Sequence, residues 1–254
     1  MIRTQNLVKS FDGREVLKDI NVEFERGKTN LIIGQSGSGK TVLLKSLVGL
    51  FNVDKGKIFY GDICFNELNF KQKKEVRKQI GMIFQGGALL DSSNVESNVR
   101  LPLDMFTTMT RQEKQKRVEF CLERVNLHNA NKLFPAELSG GMVKRVAIAR
   151  AIVMNPKFLF CDEPNSGLDP MTSIVIDNLI AEITKEYDIT TIINTHDMNS
   201  VLQIGDSINF IYQGQKWWTG SKDTILNSEN KELNDFVFAS EMAKRAKRSS
   251  ELGL

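Results

Sequence analysis

The chain has 254 residues and a mass of 28.7 kDa, enough for one large domain or two small ones. Its 41% hydrophobic and 26% charged residues match the globular norm and exclude a disordered, collagen-like or stalk-like chain. A formal charge of +3, from 34 basic and 31 acidic residues, is too small to argue for nucleic acid on electrostatic grounds.

Period-2 patterning at Asn21–Phe24 and Lys57–Phe59 predicts strands with turns between them. Thr29–Ile33 reads as a short apolar strand running into a glycine-rich turn, and Thr41–Leu50 as a helix ending near Gly49. Ile80–Phe84 is another apolar strand. A mainly helical block follows over about 86–155, with an amphipathic helix at Arg111–Val125 and a second at Ser139–Met154. Ser139 is placed to cap that second helix and Pro156 to stop it. Lys157–Cys161 then reads as a buried strand, Pro170–Glu186 as a helix and Ile189–Asn194 as a strand. Alternating strands and helices predict an α/β fold with a mainly parallel sheet covered by helices, interrupted by the inserted helical block. Residues 228–254 read as a helical extension that becomes a polar, basic tail, with four cations between Lys244 and Arg248.

No apolar run approaches the ~18 residues of a membrane span. Met1–Glu15 contains no apolar stretch of the ~7–15 residues that a signal peptide needs. Cys64, Cys121 and Cys161 are odd in number, scattered and unaccompanied by histidines. They read as reduced thiols of a cytosolic protein, not as a disulfide frame or zinc site.

Gly34-Gln35-Ser36-Gly37-Ser38-Gly39-Lys40-Thr41 fits the phosphate-binding pattern G-x-x-x-x-G-K-[ST] between a strand and a helix. Glycines let successive backbone N–H groups wrap a phosphate, and the helix N-terminus adds a positive dipole end. Lys40 is placed to reach the β- and γ-phosphates of a nucleotide and Thr41 to ligate Mg²⁺. A metal-bound phosphate also needs a carboxylate, and Phe158-Leu159-Phe160-Cys161 ends in Asp162-Glu163. Asp162 is the candidate Mg²⁺ ligand and Glu163 the candidate polariser of an attacking water. Leu138-Ser139-Gly140-Gly141-Met142 supplies a second helix-capping, anion-binding turn. Two such devices suggest paired copies, each nucleotide lying between one P-loop and the partner's Ser-Gly-Gly.

These motifs, in this order, make the chain resemble the ATPase subunits of ABC transporters from about residue 2 to residue 227. Gln85 matches the glutamine loop, Ser166-Gly167-Leu168-Asp169 the loop that crosses the dimer seam, and Asn194-Thr195-His196-Asp197 the switch-histidine loop. The resemblance implies a P-loop ATPase fold with an N-terminal antiparallel β part, and ATP and Mg²⁺ as cofactors. It also implies that Phe11 and Val16 meet the adenine, and that Gly34 to Thr41 with Val42 hold the phosphates. Thr41, Gln85 and Asp162 would hold the metal, with Glu163, His196 and Gln85 serving hydrolysis. Ser139, Gly140, Gly141 and Asp169 would act on the partner's nucleotide. Leu89, Leu90, Val95 and Leu101 are candidates for a groove that docks a permease. Phe84-Gln85-Gly86-Gly87-Ala88-Leu89-Leu90, Met142 and the segment Asn227–Phe236 further resemble the Mla-type subset, which serves MCE-protein phospholipid transporters of the bacterial envelope. That resemblance implies a homodimer on the cytoplasmic face of the inner membrane, a membrane permease, an MCE-domain partner and no nucleic acid. In the subset the C-terminal segment is expected to pack on the partner ATPase. The alternatives are the ATPase of another importer or exporter, or a non-transport ATPase of the same fold.

Overall fold

The computed structural model describes residues 1–239. Strand β1 (Ile2–Phe11) returns as β2 (Arg14–Ile20) through Asp12-Gly13. Both turn residues have positive φ, 49° and 78°, as a two-residue hairpin turn requires. The chain continues through β3 (Glu23–Phe24), β4 (Thr29–Ile33), α1 (Lys40–Leu47), β5 (Lys55–Tyr60), β6 (Ile63–Cys64), α2 (Phe70–Arg77) and β7 (Ile80–Ile83). Three helices follow: α3 (Val95–Phe106), α4 (Arg111–Arg124) and α5 (Gly140–Ile152). Then come β8 (Phe158–Asp162), α6 (Pro170–Glu186), β9 (Thr190–Asn194), α7 (Met198–Ile204), β10 (Ser207–Tyr212), β11 (Gln215–Gly220) and α8 (Lys231–Val237).

Two sheets result. A six-stranded sheet has the order β11-β10-β4-β9-β8-β7 and is parallel except for the β10–β11 hairpin. Every residue of β4 and β9 is buried, so neither strand shows the polar–apolar alternation of a half-exposed strand. A smaller antiparallel sheet joins β2, β1, β5 and β6, with β3 paired to β1. The fold is therefore the expected α/β architecture with an N-terminal antiparallel part. One apolar cluster joins the large sheet to α3–α6, including Val99, Val118, Val146, Leu159 and Ile180. A second, with Phe24, Leu44, Ile58 and Phe160, seats α1 between the two sheets.

The boundaries differ from the sequence expectation in identifiable ways. Asn21 lies outside the strand because its side chain serves a turn: Oδ1 accepts from the Asn6 N–H at 2.8 Å and Nδ2 donates to Asp19. Helix α1 stops at Leu47, short of Leu50, and Gly49 follows at φ 74°, a left-handed ending open to glycine at no steric cost. Ser139 caps α5 as expected, accepting from the Met142 N–H at 3.3 Å. Of the candidate docking residues, Val95 is fully buried and Leu90 is 45% exposed. The thiols of Cys121 and Cys161 are buried, and burial pushes the Cys121 thiol up to about 11. Helix α8 is capped by Asn230 and packs Phe236 against Phe210, with ring centroids 5.5 Å apart. The basic cluster Lys244–Arg248 lies outside the described residues. Among the described residues no helix is long and apolar enough to cross a membrane.

Candidate active site

The site forms where β4, β7, β8 and β9 end. β4 runs straight into the glycine loop, and Gly34, Gly37 and Gly39 have φ of 147°, 79° and 104°. Gly34 has a second reason to be glycine: a Cβ there would sit 2.2 Å from the Ile211 carbonyl oxygen. Lys40, 7% exposed, turns its Nζ back into the loop and donates to the carbonyls of Gly34 (2.8 Å) and Gln35 (3.0 Å). Burial lowers its pKa, while the charges of Glu163 and Asp162 oppose that shift. A buried ammonium held only by carbonyls is ready to exchange them for phosphate oxygens.

Asp162 closes β8 and Asn194 closes β9, and the two strands pair at these residues. The Asn194 amide donates to Asp162 Oδ1 at 2.6 Å and to Thr41 Oγ1 at 3.1 Å. It thereby gathers the hydroxyl and the carboxylate onto one point. Glu163 stands at φ 47°, a strained conformation for a non-glycine residue, and such strain clusters at functional sites. Its Oε1 is 2.9 Å from His196 Nδ1, and its Oε2 accepts from Gln85 Nε2 at 3.5 Å. Three side chains from the ends of β7, β8 and β9 thus converge.

One cavity of about 1690 Å³ takes in Val16, Gly34 to Gly37, Gly39 to Val42, Gln85, Glu163 and His196. Ser38 and Asp162 are buried and do not line it. Phe11 is not in the lining either; it is 39% exposed and meets Phe51 edge-on, with centroids 5.3 Å apart. Ser139, Gly140 and Asp169 are exposed and do not line the cavity. Gly141 abuts Thr172, whose N–H donates to the Asp169 cap at 3.0 Å. Asn194, which joins Thr41 to Asp162, carries little signal in the sequence beyond an amide that ends the strand Thr190–Asn194. Leu226 to Ser228 and Asp235 to Ala239, in and beside the segment Asn227–Phe236 singled out in the sequence, also line the cavity, a position the sequence does not signal.

Behind the site, Asn165 donates to Asp177 Oδ2 (3.3 Å) and to Ser200 Oγ (2.8 Å), tying the loop after Glu163 to α6 and α7. Asp177 Oδ1 has no partner. Burial pushes the Asp177 carboxyl up to about 6, with Asp197 adding to the rise and bonds from Ser200 and Asn165 opposing it. A folded-state pKa above the unfolded value near 3.9 means the fold holds this proton between about pH 4 and 6. The cost of ionising Asp177 is therefore absent below pH ~4 and fully present above pH ~6. Relative to the native chain, Asp177→Asn should gain roughly 2–3 kcal/mol of unfolding free energy between pH 4 and pH 7. Urea melts at both pH values check this; parallel pH dependence in the two proteins would contradict it.

A glycine loop around a buried lysine, opposite a strand-end Asp-Glu pair, defines a P-loop nucleotide hydrolase. The comparisons narrow the class. A family model described as ABC transporter matches residues 17–166. Methionine import ATP-binding protein MetN of Clostridium tetani is 42% identical over 244 residues, covering 95% of this chain and 76% of the relative. The probable ribonucleotide transport ATP-binding protein mkl of Mycobacterium leprae is 34% identical over 236 residues, covering 93% and 68%. Among solved structures, cbiO1 from Clostridium perfringens, part of the ABC transporter complex cbiONQ, superposes with a TM-score of 0.84 at 30% identity and 98% coverage of both chains. The ATP-binding cassette MJ0796, solved as a dimer in a post-hydrolysis state bound to ADP and Pi, gives 0.79 at 30% identity, covering 87% of this chain and 99% of that one. The chain belongs to the ABC transporter family. It is an ATP-hydrolysing motor subunit of that family.

Proposed function

We propose that this motor drives phospholipid transport in the bacterial cell envelope. Two copies work on the cytoplasmic face of the inner membrane with a permease and an MCE-domain protein. The motor reading is carried by the convergence of Lys40, Gln85, Glu163 and His196 on one cavity. ATP enters with its phosphates in the loop from Gly34 to Thr41 and its base near Val16; stacking by Phe11 would require its ring to leave its contacts with Phe51 and Lys9. Lys40 neutralises the β- and γ-phosphates. Glu163 orients the attacking water and accepts or shares its proton, while His196 and Gln85 fix the carboxylate from two sides.

The oxygen donors fit Mg²⁺. Thr41 Oγ1 and Asp162 Oδ1 are joined through one amide, and Asn194 Oδ1 is buried with no partner. Among the described residues no group of three or more His, Cys, Asp or Glu could hold an ion, so the nucleotide's own oxygens would complete the set. Thr41, Asp162 and Gln85 would hold the ion, which supplies charge neutralisation on the phosphates. Exposure of Ser139, Gly140 and Asp169 away from their own cavity supports their use by a second copy. MJ0796 was solved as a dimer, and cbiO1 is part of the ABC transporter complex cbiONQ.

The phospholipid reading rests on Gly86 to Leu90, on Met142 in place of the commoner glutamine, and on the segment Asn227–Phe236. The names of the relatives favour a second reading, import of a small polar solute. Affinity purification of this chain from detergent-solubilised native membranes separates the two. Co-purification of a multi-span permease, an MCE-domain protein and phospholipid is the expected result. A permease with a soluble solute-binding protein would replace lipid by solute. Ribosomes or DNA in place of a membrane partner would overturn the transporter reading.

A further inference from the structure

Beyond β7 the backbone turns through Gly87 (φ 78°) and Ala88 (φ 48°) and lies against α5. A Cβ at Gly87 would come within 2.9 Å of Val143 Cγ1, so loop and helix are in close contact. Two cations on α5 take three carbonyls of this loop, those of Gln85, Gly87 and Ala88. Lys144 Nζ donates to the carbonyl of Gln85. Arg150 donates to the carbonyls of Gly87 (2.6 Å) and Ala88 (2.7 Å). Lys144 is 5% exposed, and among the described residues neither cation has a carboxylate within salt-bridge distance. A buried ammonium without an ion partner is expensive, and a methionine would fill the same volume at no electrostatic cost. Packing alone does not explain a lysine here. Burial lowers its pKa, and the charge of Glu163 opposes that shift, which places the ammonium within electrostatic reach of the hydrolytic carboxylate.

We propose that Lys144 is a positioning residue for ATP hydrolysis: by holding the Gln85 carbonyl to α5, it fixes the Gln85 side chain against Glu163. The same helix begins at Ser139, five residues earlier, or about 7.5 Å along the axis. Lys144 therefore also couples the turn offered to the partner's nucleotide with the glutamine that faces its own. This rests on the roles proposed for Gln85 and Ser139.

Lys144→Met removes the ammonium and keeps the stem. The expected result is a kcat about 10- to 100-fold lower with a KM for ATP within about threefold, because ATP binding does not use this contact. Lys144→Arg should recover most of the rate. In a Gln85→Ala background, Lys144→Met should lower kcat no further, since the side chain it positions is gone. An unchanged kcat in Lys144→Met, with Gln85→Ala impaired, would overturn the proposal and leave the Gln85 role standing. An unimpaired Gln85→Ala would overturn both. A multiplicative loss in the double variant would assign Lys144 to general packing and overturn the positioning role. If Lys144→Met fails to fold, the same cycle is run with Lys144→Gln, which keeps a donor at the site without the charge.

Discussion

Glu163→Gln is expected to bind ATP with near-native affinity and hydrolyse it about 100- to 1,000-fold more slowly, a barrier increase of roughly 3–4 kcal/mol. Glutamine has the same shape, and its carbonyl oxygen still accepts from His196 or Gln85, now 2.9 and 3.5 Å from the carboxylate. What it lacks is the negative charge that orients water and takes up proton density as the γ-phosphoryl leaves. Binding should survive because the phosphates meet Lys40 and the loop amides, not Glu163. The position is itself constrained: φ is 47° and the Glu163 N–H donates to the Asn194 carbonyl at 2.9 Å. The strain therefore belongs to the backbone and does not change with the amide. Steady-state phosphate release and equilibrium nucleotide titration check the two halves separately. Near-native turnover would remove Glu163 from the mechanism.

Lys40→Ala should fail earlier, at binding. The ammonium makes two hydrogen bonds to carbonyls that phosphate oxygens would replace. Charge-assisted bonds of this kind contribute about 1.5–3 kcal/mol each, so ATP affinity should fall roughly 100-fold or more. Stability of the free protein should not fall with it. Burial already lowers the Lys40 pKa, and an alanine removes a desolvated charge. Calorimetric titration with ATP and thermal melting of the free protein, done together, distinguish lost recognition from lost folding. Affinity within about twofold of native would contradict the phosphate role.

Much of this site was legible because its chemistry is local in sequence. The strand Thr29–Ile33, the glycine loop and the helix after it are contiguous, and the helix Pro170–Glu186 was bounded by its own cap and proline. The Asp-Glu pair announced itself by ending an apolar run. Other elements hid behind interrupted patterns. β1 carries Asn6 at φ 48° and shifts register against both neighbours, which breaks its alternation. α3 contains Pro102, and β11 shows only exposed or half-buried residues. Contacts between distant residues were not legible at all. Asn194 meets Thr41, Lys144 meets Gln85 and Asn165 meets Asp177 only after the sheet is assembled.

Light scattering of the Glu163→Gln chain, with and without ATP, tests the composite site most directly. Without ATP the mass should be that of one 28.7 kDa chain. With ATP it should double, and adding Ser139→Arg should return it to the single-chain value while ATP still binds. An ATP-saturated Glu163→Gln protein that stays at the single-chain mass would contradict a site completed by the partner's Ser139-Gly140-Gly141.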